Sequence, residues 1–357
     1  MKTRLIETLA DFAALADAWS DLPGAGSDPL LSHDWFFAAA GTLHREQRLQ
    51  IVTAWRDQEL VAVAPLIEAR RQGTRWLEFI GSRLLFEPCN MLFRDEDARN
   101  ELMRGVVALH CPLSLHRLPA DSGLATVLRG FRSGWLVPVR SAPCRRVDML
   151  QPWDAYLATR SKECRTGFPR KRRQLAAGGT VNFESLAPDR DAAVRLLEEF
   201  VQVEASGWKQ RNGSSLASRP GLHAFFADLA RRFAARGQLQ LSFLRRDGAA
   251  VAAQLGLKYG NRYWELKVGY DERWQAMSPG RILLWEMLRE SWAQGLRAYE
   301  FLGSGDGQQA AWSTSERALS TLVLYPYSAR GAIAFADDAA SSLIRRVGQT
   351  LQKLERY

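Results

Sequence analysis

The chain has 357 residues, of which 46% are hydrophobic and 24% charged. That is ordinary globular composition and enough length for two domains or one large one. Lysine and arginine outnumber acids by 48 to 39, a net charge of +9, so an anionic partner is expected: nucleic acid, an anionic membrane surface, or a phosphorylated cofactor or substrate. Cys89, Cys111, Cys144 and Cys164 form no CxxC pair, which excludes a disulfide scaffold and fits a reducing compartment. No stretch approaches the roughly 18 uninterrupted apolar residues of a membrane span. Met1-Lys2-Thr3-Arg4 is followed by mixed polar sequence rather than an apolar signal core, so a cytoplasmic protein is expected, with peripheral membrane contact left open.

In chain order, residues 4–9 read as a strand and 11–22 as an amphipathic helix with Phe12, Leu15 and Trp19 on one side. Ser32 can cap a second helix to residue 43. Residues 50–56 and 60–70 alternate as a hairpin around Asp57-Gln58-Glu59. Residues 76–80 give a further strand, 95–110 a helix, 113–118 a strand, 122–131 a helix and 135–140 a strand. A basic helix over 153–175 follows, interrupted by Gly167 and Pro169. Between residues 160 and 173 it carries seven cations (Arg160, Lys162, Arg165, Arg170, Lys171, Arg172 and Arg173) against the single acid Glu163.

The second half repeats the first. Residues 181–186 read as a strand, 189–208 and 222–236 as helices, and 238–245, 250–259 and 262–270 as strands. A helix from Ser278, a strand over 297–302, a short helical segment over 308–312 and a strand over 318–325 complete it. Both halves have the order β-α-α-β-β-β-α-β-α-β. Arg56-Asp57 with Val61-Ala62 matches Arg246-Asp247 with Val251-Ala252 at an offset of 190, which fits a duplicated domain. Residues 339–357 read as an amphipathic basic terminal helix.

Residues 263–295 stand out. A strand to Tyr270 runs through a polar loop into Ser278-Pro279-Gly280, where Ser can serve as N-cap and Pro fits the first helical position. Ile282, Leu283, Trp285, Met287 and Leu288 form an apolar stripe, and Gly295 stands where a C-cap belongs. A helix start with free N–H groups and a glycine suits a phosphate group of a cofactor; an ordinary capped helix is the alternative. Gly303-Ser304-Gly305-Asp306-Gly307 lacks the third glycine of a dinucleotide fingerprint, and no GxSxG elbow or GK[ST] loop is present. His110, Cys111 and His116 are too loosely placed for a metal site, so no metal is expected. Phe79-Ile80-Gly81-Ser82-Arg83 occupies the corresponding place in the first half without a Ser-Pro-Gly start.

The run SKECRTGFPRKRRQLAAGG, then Trp208-Lys209, GYDERWQAMSPGRILLWEML and EFLGSGDGQQAAW, resembles the GNAT-type acyltransferases of the CelD kind, tied to cellulose and exopolysaccharide biosynthesis, over residues 150–315. The tandem layout is also similar to the FemABX-like peptidoglycan transferases. The resemblance implies an α/β (α+β) fold of two tandem GNAT-like domains, each a mixed, mainly antiparallel sheet flanked by helices. The expected division is 1–150 without a cofactor site, 151–176 a basic linker helix, 177–330 the acyltransferase domain, and 331–357 a C-terminal helix.

It further implies acetyl-CoA or another acyl-CoA as co-substrate. The pyrophosphate would sit on the turn over 273–281, on the backbone of Ser278, Pro279, Gly280 and Arg281, with charge from Arg273 or Arg281. The pantetheine arm would run along the strand at Val268, Gly269 and Tyr270. Direct transfer to an amine or hydroxyl calls for a general base among Glu204, Glu265, Asp271 and Asp306. Glu265 and Lys267 are expected to share a strand face. Arg165, Trp208, Lys209, Asp306 and Trp312 are expected on the acceptor side, a small molecule or glycan of envelope polysaccharide metabolism. The family's Tyr-Lys before the tryptophan is replaced by Gln308-Gln309. An aminoacyl transferase using charged tRNA, or a non-catalytic binding protein, are the rival readings.

Overall fold

The computed structural model describes residues 1–207, 213, 215–303 and 307–354. Its strands are β1 (Lys2–Ile6), β2 (Ile51–Arg56), β3 (Glu59–Ala64), β4 (Leu66–Arg71), β5 (Thr74–Phe79), β6 (Leu92–Phe93), β7 (Leu113–Pro119), β8 (Gly134–Asp148), β9 (Val181–Leu186), β10 (Leu239–Arg246), β11 (Ala249–Tyr259), β12 (Arg262–Tyr270), β13 (Ala298–Phe301) and β14 (Ser315–Pro326). The helices are α1 (Leu9–Ala13), α2 (Ala16–Ser20), α3 (His33–Leu43), α4 (Ser82–Leu85), α5 (Glu96–Val107), α6 (Leu124–Phe131), α7 (Trp153–Ala158), α8 (Phe168–Leu175), α9 (Arg190–Ala205), α10 (Pro220–Ala234), α11 (Pro279–Ala293), α12 (Gly307–Ala310) and α13 (Ala329–Leu354).

Ten strands make one sheet in the order β4-β5-β7-β14-β8-β13-β12-β11-β10-β9, and β1-β2-β3-β6 make a second. The fold is the expected α/β class, mainly antiparallel with helices on both faces. The repeat is visible in the pairing. The antiparallel run β10-β11-β12 ends in a parallel pair, Arg262↔Ala298. In the first half β4-β5 does the same through Leu77↔Leu113. The expected single strand over 60–70 divides at Pro65, which has no N–H for a ladder. Its carbonyl instead accepts from Ile80 N at 3.0 Å, and β3 and β4 fall into different sheets.

The last strands of the two halves cross over. β8 reaches 15 residues, well beyond the expected 135–140. It pairs with β13 through Tyr299↔Val147 and with β14 through Val323↔Val137. β14 in turn pairs with β7. Each half's sheet is therefore finished by the strand that the other half contributes.

One core lies between the sheets and α3, α9 and α10, with Phe36, Phe200, Phe225 and Phe233 fully buried. A second lies under α11 and α8, where Tyr156, Phe168, Tyr263, Ile282, Met287, Tyr299 and Trp312 meet. Each such side chain contributes on the order of 2 kcal/mol by leaving water. α11 ends as expected at Gly295, with φ of +68°. Gly295 N donates to Trp292 O at 3.0 Å and Leu296 N to Ser291 O at 3.1 Å, a Schellman closure that needs the glycine's left-handed freedom. The basic linker is three pieces: α7, a π-helical turn over Glu163–Gly167, and α8. Arg172 ties α8 to α11 through Glu286, 1% exposed, at 2.7 Å. No helix among the described residues is long and apolar enough to cross a membrane.

Candidate functional site

A cleft of about 720 Å³ opens between β12 and the start of α11. Glu265, Val268 and Tyr270 line it from the strand, Gln275 and Ala276 from the loop, Ser278, Pro279, Gly280, Arg281 and Leu284 from the helix, and Gln309 from α12.

The helix start differs from the expected cap in a way that matters for ligands. Ser278 stands at the N-cap with φ 55° and ψ 54° and its side chain caps nothing. A left-handed serine is a sparsely populated conformation. It turns its own carbonyl inward to accept from Arg281 N at 3.0 Å and Ile282 N at 3.1 Å. Pro279 has no N–H, and the Gly280 N–H makes no backbone hydrogen bond among the described residues. The positive end of a 15-residue helix is left facing the cleft. The Ser278 hydroxyl instead accepts from Lys171 Nζ of α8 at 3.2 Å, which brings a cation to the same corner as Arg281.

β12 carries a bulge. Lys267 pairs with Leu255 and Glu265 with Gly256, leaving Leu266 as the extra residue. One added residue reverses the faces of everything beyond it. Glu265, Val268 and Tyr270 therefore share the cleft side. Lys267 turns to the opposite side, its Nζ 5.5 Å from the Phe226 ring of α10, so the expectation that Glu265 and Lys267 share a face is overturned. Gly269 also turns away from the cleft: a Cβ there would lie 2.7 Å from Glu204 Cα, so its glycine serves the approach of α9.

The three described candidate bases have separate environments. Glu265 Oε2 accepts from the Tyr299 hydroxyl at 2.7 Å and from Gln254 Nε2 at 3.1 Å. Burial, together with the Glu265 charge, raises the Tyr299 hydroxyl well above its ordinary range, so it keeps its proton. Asp271 is buried beneath Arg273, which donates from Nε at 2.9 Å and Nη2 at 2.5 Å to Oδ2 and from its backbone N at 3.0 Å to Oδ1. Those bonds hold the Asp271 carboxyl below its usual range. Asp271 and Arg273 thus occupy each other at the loop start, outside the cleft lining. Glu204 is 2% exposed and accepts from Leu216 N at 2.8 Å, tying α9 to the single turn Leu216–Ser218.

Trp312 is a core residue. It is 2% exposed, stacks on Phe168 at 5.7 Å, and its carbonyl accepts from the Tyr156 hydroxyl at 2.5 Å. Arg165 is exposed on the π-helical turn and does not line the cleft. Trp208, Lys209 and Asp306 lie outside the described residues. The cleft therefore gathers Glu265, Val268, Tyr270, Ser278, Pro279, Gly280 and Arg281 out of the expected set. Lys171 was legible only as one cation in a run; nothing in the spacing singles it out from Arg170. Tyr299 and Gln254 carried no sequence signal, because their roles arise from a three-strand juxtaposition.

In the first half the corresponding position holds α4, a helix of four residues whose preceding Gly81 N donates to His44 Nε2 at 2.9 Å. That amide is already occupied.

Residues 162–310 match the family model described as an acetyltransferase (GNAT) domain, a span that contains every residue of the cleft and Lys171. No curated protein matches the chain. Among solved structures, the C-terminal domain of a putative lysylphosphatidylglycerol synthetase from Agrobacterium fabrum superposes with a TM-score of 0.57 at 10% identity, covering 93% of this chain and 97% of that one. FemX gives 0.57 at 12% identity, with 90% and 97% covered. A tandem GNAT protein from the clavulanic acid biosynthesis pathway gives 0.50 at 14%, with 90% and 98% covered. At such identities the likeness is one of fold, and it extends over both halves. The chain thus carries a GNAT acyltransferase-like domain within a fold of tandem GNAT type.

Proposed function

We propose that this protein transfers an acyl group, acetyl in the first instance, from acyl-CoA to an amine or hydroxyl. The observation that carries this reading is a single cleft joining an uncapped helix start to a carboxylate, Glu265. The pyrophosphate of the donor meets the Gly280 amide, the α11 dipole, Arg281 and Lys171. The pantetheine arm follows β12 from Tyr270 toward Glu265, where the ladder to β13 begins. There the acceptor attacks the thioester carbonyl: a new N–C or O–C bond forms and the C–S bond breaks. The acceptor's proton passes to Glu265, CoA leaves as the thiolate, and Glu265 then returns the proton to it, giving the free thiol. Holding both substrates in one cleft supplies much of the acceleration.

Within this reading the donor site belongs to the C-terminal part, residues 177–330, approached by the basic segment 151–176. The N-terminal part, 1–150, carries none. The proposed acceptor is a sugar amine or hydroxyl of envelope polysaccharide, supported by the resemblance of the run from Ser161 to Trp312. Thermal unfolding with acetyl-CoA, longer acyl-CoAs and aminoacyl-tRNA is the test. A donor at a hundred times its Kd stabilises the protein by about 2.7 kcal/mol, so acetyl-CoA is expected to raise the melting temperature. Silence with every acyl-CoA overturns the proposal; a response to aminoacyl-tRNA alone moves it to aminoacyl transfer.

A further inference from the structure

Gly303 leaves the end of β13 with φ of +80°, and both of its backbone groups are held by the other half of the molecule. Its N–H donates to Glu87 Oε2 at 3.0 Å. Its carbonyl accepts from Arg117 Nη2 and, at 3.5 Å, from Cys144 Sγ. Glu87 follows α4 and is 9% exposed; Arg117 is on β7 and is 2% exposed. Burying either charge costs several kcal/mol unless its partners are well placed.

The fold goes to some length to aim the Arg117 side chain. Arg117 has φ of +53°, at a point where the β7–β14 register slips between Leu118↔Ser320 and Leu115↔Leu322. A bulge of this kind re-aims a side chain. The guanidinium is then fixed by Ala142 O at 3.2 Å, Cys144 Sγ at 3.0 Å and the Phe86 ring, 4.6 Å from its centre. Gly303 precedes by six residues Gln309, which lines the cleft. Glu87 lies within electrostatic reach of Lys267 and Glu265 of β12 and of Arg117 of β7. The carboxylate of the N-terminal half thus shares an electrostatic neighbourhood with the proposed base.

We propose that Glu87 and Arg117 form a clamp on Gly303 through which the N-terminal half positions the wall of the donor cleft. The N-terminal half is then a working part of the site rather than a passive neighbour. Both residues are positioning residues, acting through the backbone of Gly303. The role of the cleft rests on the acyltransferase reading; the clamp itself does not.

Hydrogen–deuterium exchange at one pH, followed by calorimetry with acetyl-CoA, tests it on the full chain. Glu87→Ala removes the acceptor for the Gly303 N–H. Exchange at the Gly303 amide is expected to quicken about tenfold, the equivalent of one lost buried hydrogen bond, while β12 and α11 stay protected. The Kd for acetyl-CoA is expected to rise several-fold. Glu87→Gln keeps an acceptor oxygen and is expected to restore both readings. If Glu87→Ala does not fold, Glu87→Leu fills the volume without an acceptor and takes its place. Unchanged exchange at the Gly303 amide, or equal loss across the whole chain, overturns the clamp. Failure of the wild-type protein to bind acetyl-CoA overturns the acyltransferase reading and leaves the exchange result standing.

Discussion

Gly280→Asp separates an anion site from a mere helix start, because the two readings assign it opposite signs. Gly280 is the second residue of α11 and has no left-handed φ. A Cβ there would lie 3.4 Å from Tyr270 Cδ1, tight contact that a small shift of the ring relieves. An acid in the first turn interacts favourably with the dipole, by about 0.3–1 kcal/mol. The fold should therefore be unharmed or slightly stabilised. A phosphate on the same amide would sit roughly 5 Å from the new carboxylate. At an effective dielectric constant of about 20, two unit charges at that distance repel by about 3 kcal/mol, on the order of a hundredfold in Kd. Lys171, already 3.2 Å from Ser278 Oγ, can turn to the new carboxylate and be withheld from the ligand, in the same direction. Calorimetric titration with acetyl-CoA measures the affinity and thermal unfolding the stability. Gly280→Asn supplies the same shape without charge and should lose far less. Equal affinity in wild type and Gly280→Asp, or equal loss in Asp and Asn, would refute the electrostatic argument.

Two further outcomes follow from the same geometry. Glu265→Gln should slow thiol release from acetyl-CoA with a panel of amino sugars by about a hundredfold or more while acetyl-CoA affinity stays; an unchanged rate would show that Glu265 is not the base. Burial pushes the Glu87 carboxyl from 4.5 to about 7, against the pull of Lys267, the Gly303 N–H and Arg117. Because the folded value lies above the unfolded one, the contribution of this group is complete below about pH 4.5 and is lost as pH rises through 7. That loss is at most about 3 kcal/mol. Urea unfolding at pH 5 and pH 8.5 should show a decline in wild type that Glu87→Gln lacks, and parallel profiles would contradict it.

Much of this was legible in the sequence where a local rule decides the outcome. Alternation and turn residues located β10, β11 and β12, and Ser-Pro-Gly with Gly295 bounded α11. The composition of the turn over 271–281 pointed to the cleft. Where the outcome depends on non-local pairing, the sequence was silent or misleading. Period-2 reasoning put Glu265 and Lys267 on one face because a bulge at Leu266 leaves no mark in a stretch that alternates regularly from Trp264 to Val268. Asp271 and Glu204 have the residue type of a base. Their hydrogen bonds to the Arg273 guanidinium and the Leu216 amide, outside the cleft lining, come from pairings that no local pattern announces. Trp312 is expected on the acceptor side at the end of a short helical segment, and only its burial and its stacking on Phe168 show it to be core. Ser278 was expected to cap its helix; the left-handed turn that frees its hydroxyl is set by the loop before it.

The crossing of β8 and β14 has a consequence for how the molecule is made. β7 pairs early with β5 but cannot acquire its second neighbour until β14 has been synthesised, roughly two hundred residues later, since Leu113 pairs with Leu324. During synthesis the first half waits with an open sheet edge, and such an edge can pair with another chain. Contacts of this sequence separation also close slowly, because loop entropy must be overcome first. A fragment ending near residue 150 would keep β8 but lack β14, leaving one edge of β7 bare, and a fragment beginning there would leave one edge of β13 bare. The two halves are therefore expected to be one cooperative folding unit, and a ribosome-bound N-terminal half is the species most in need of protection from its neighbours.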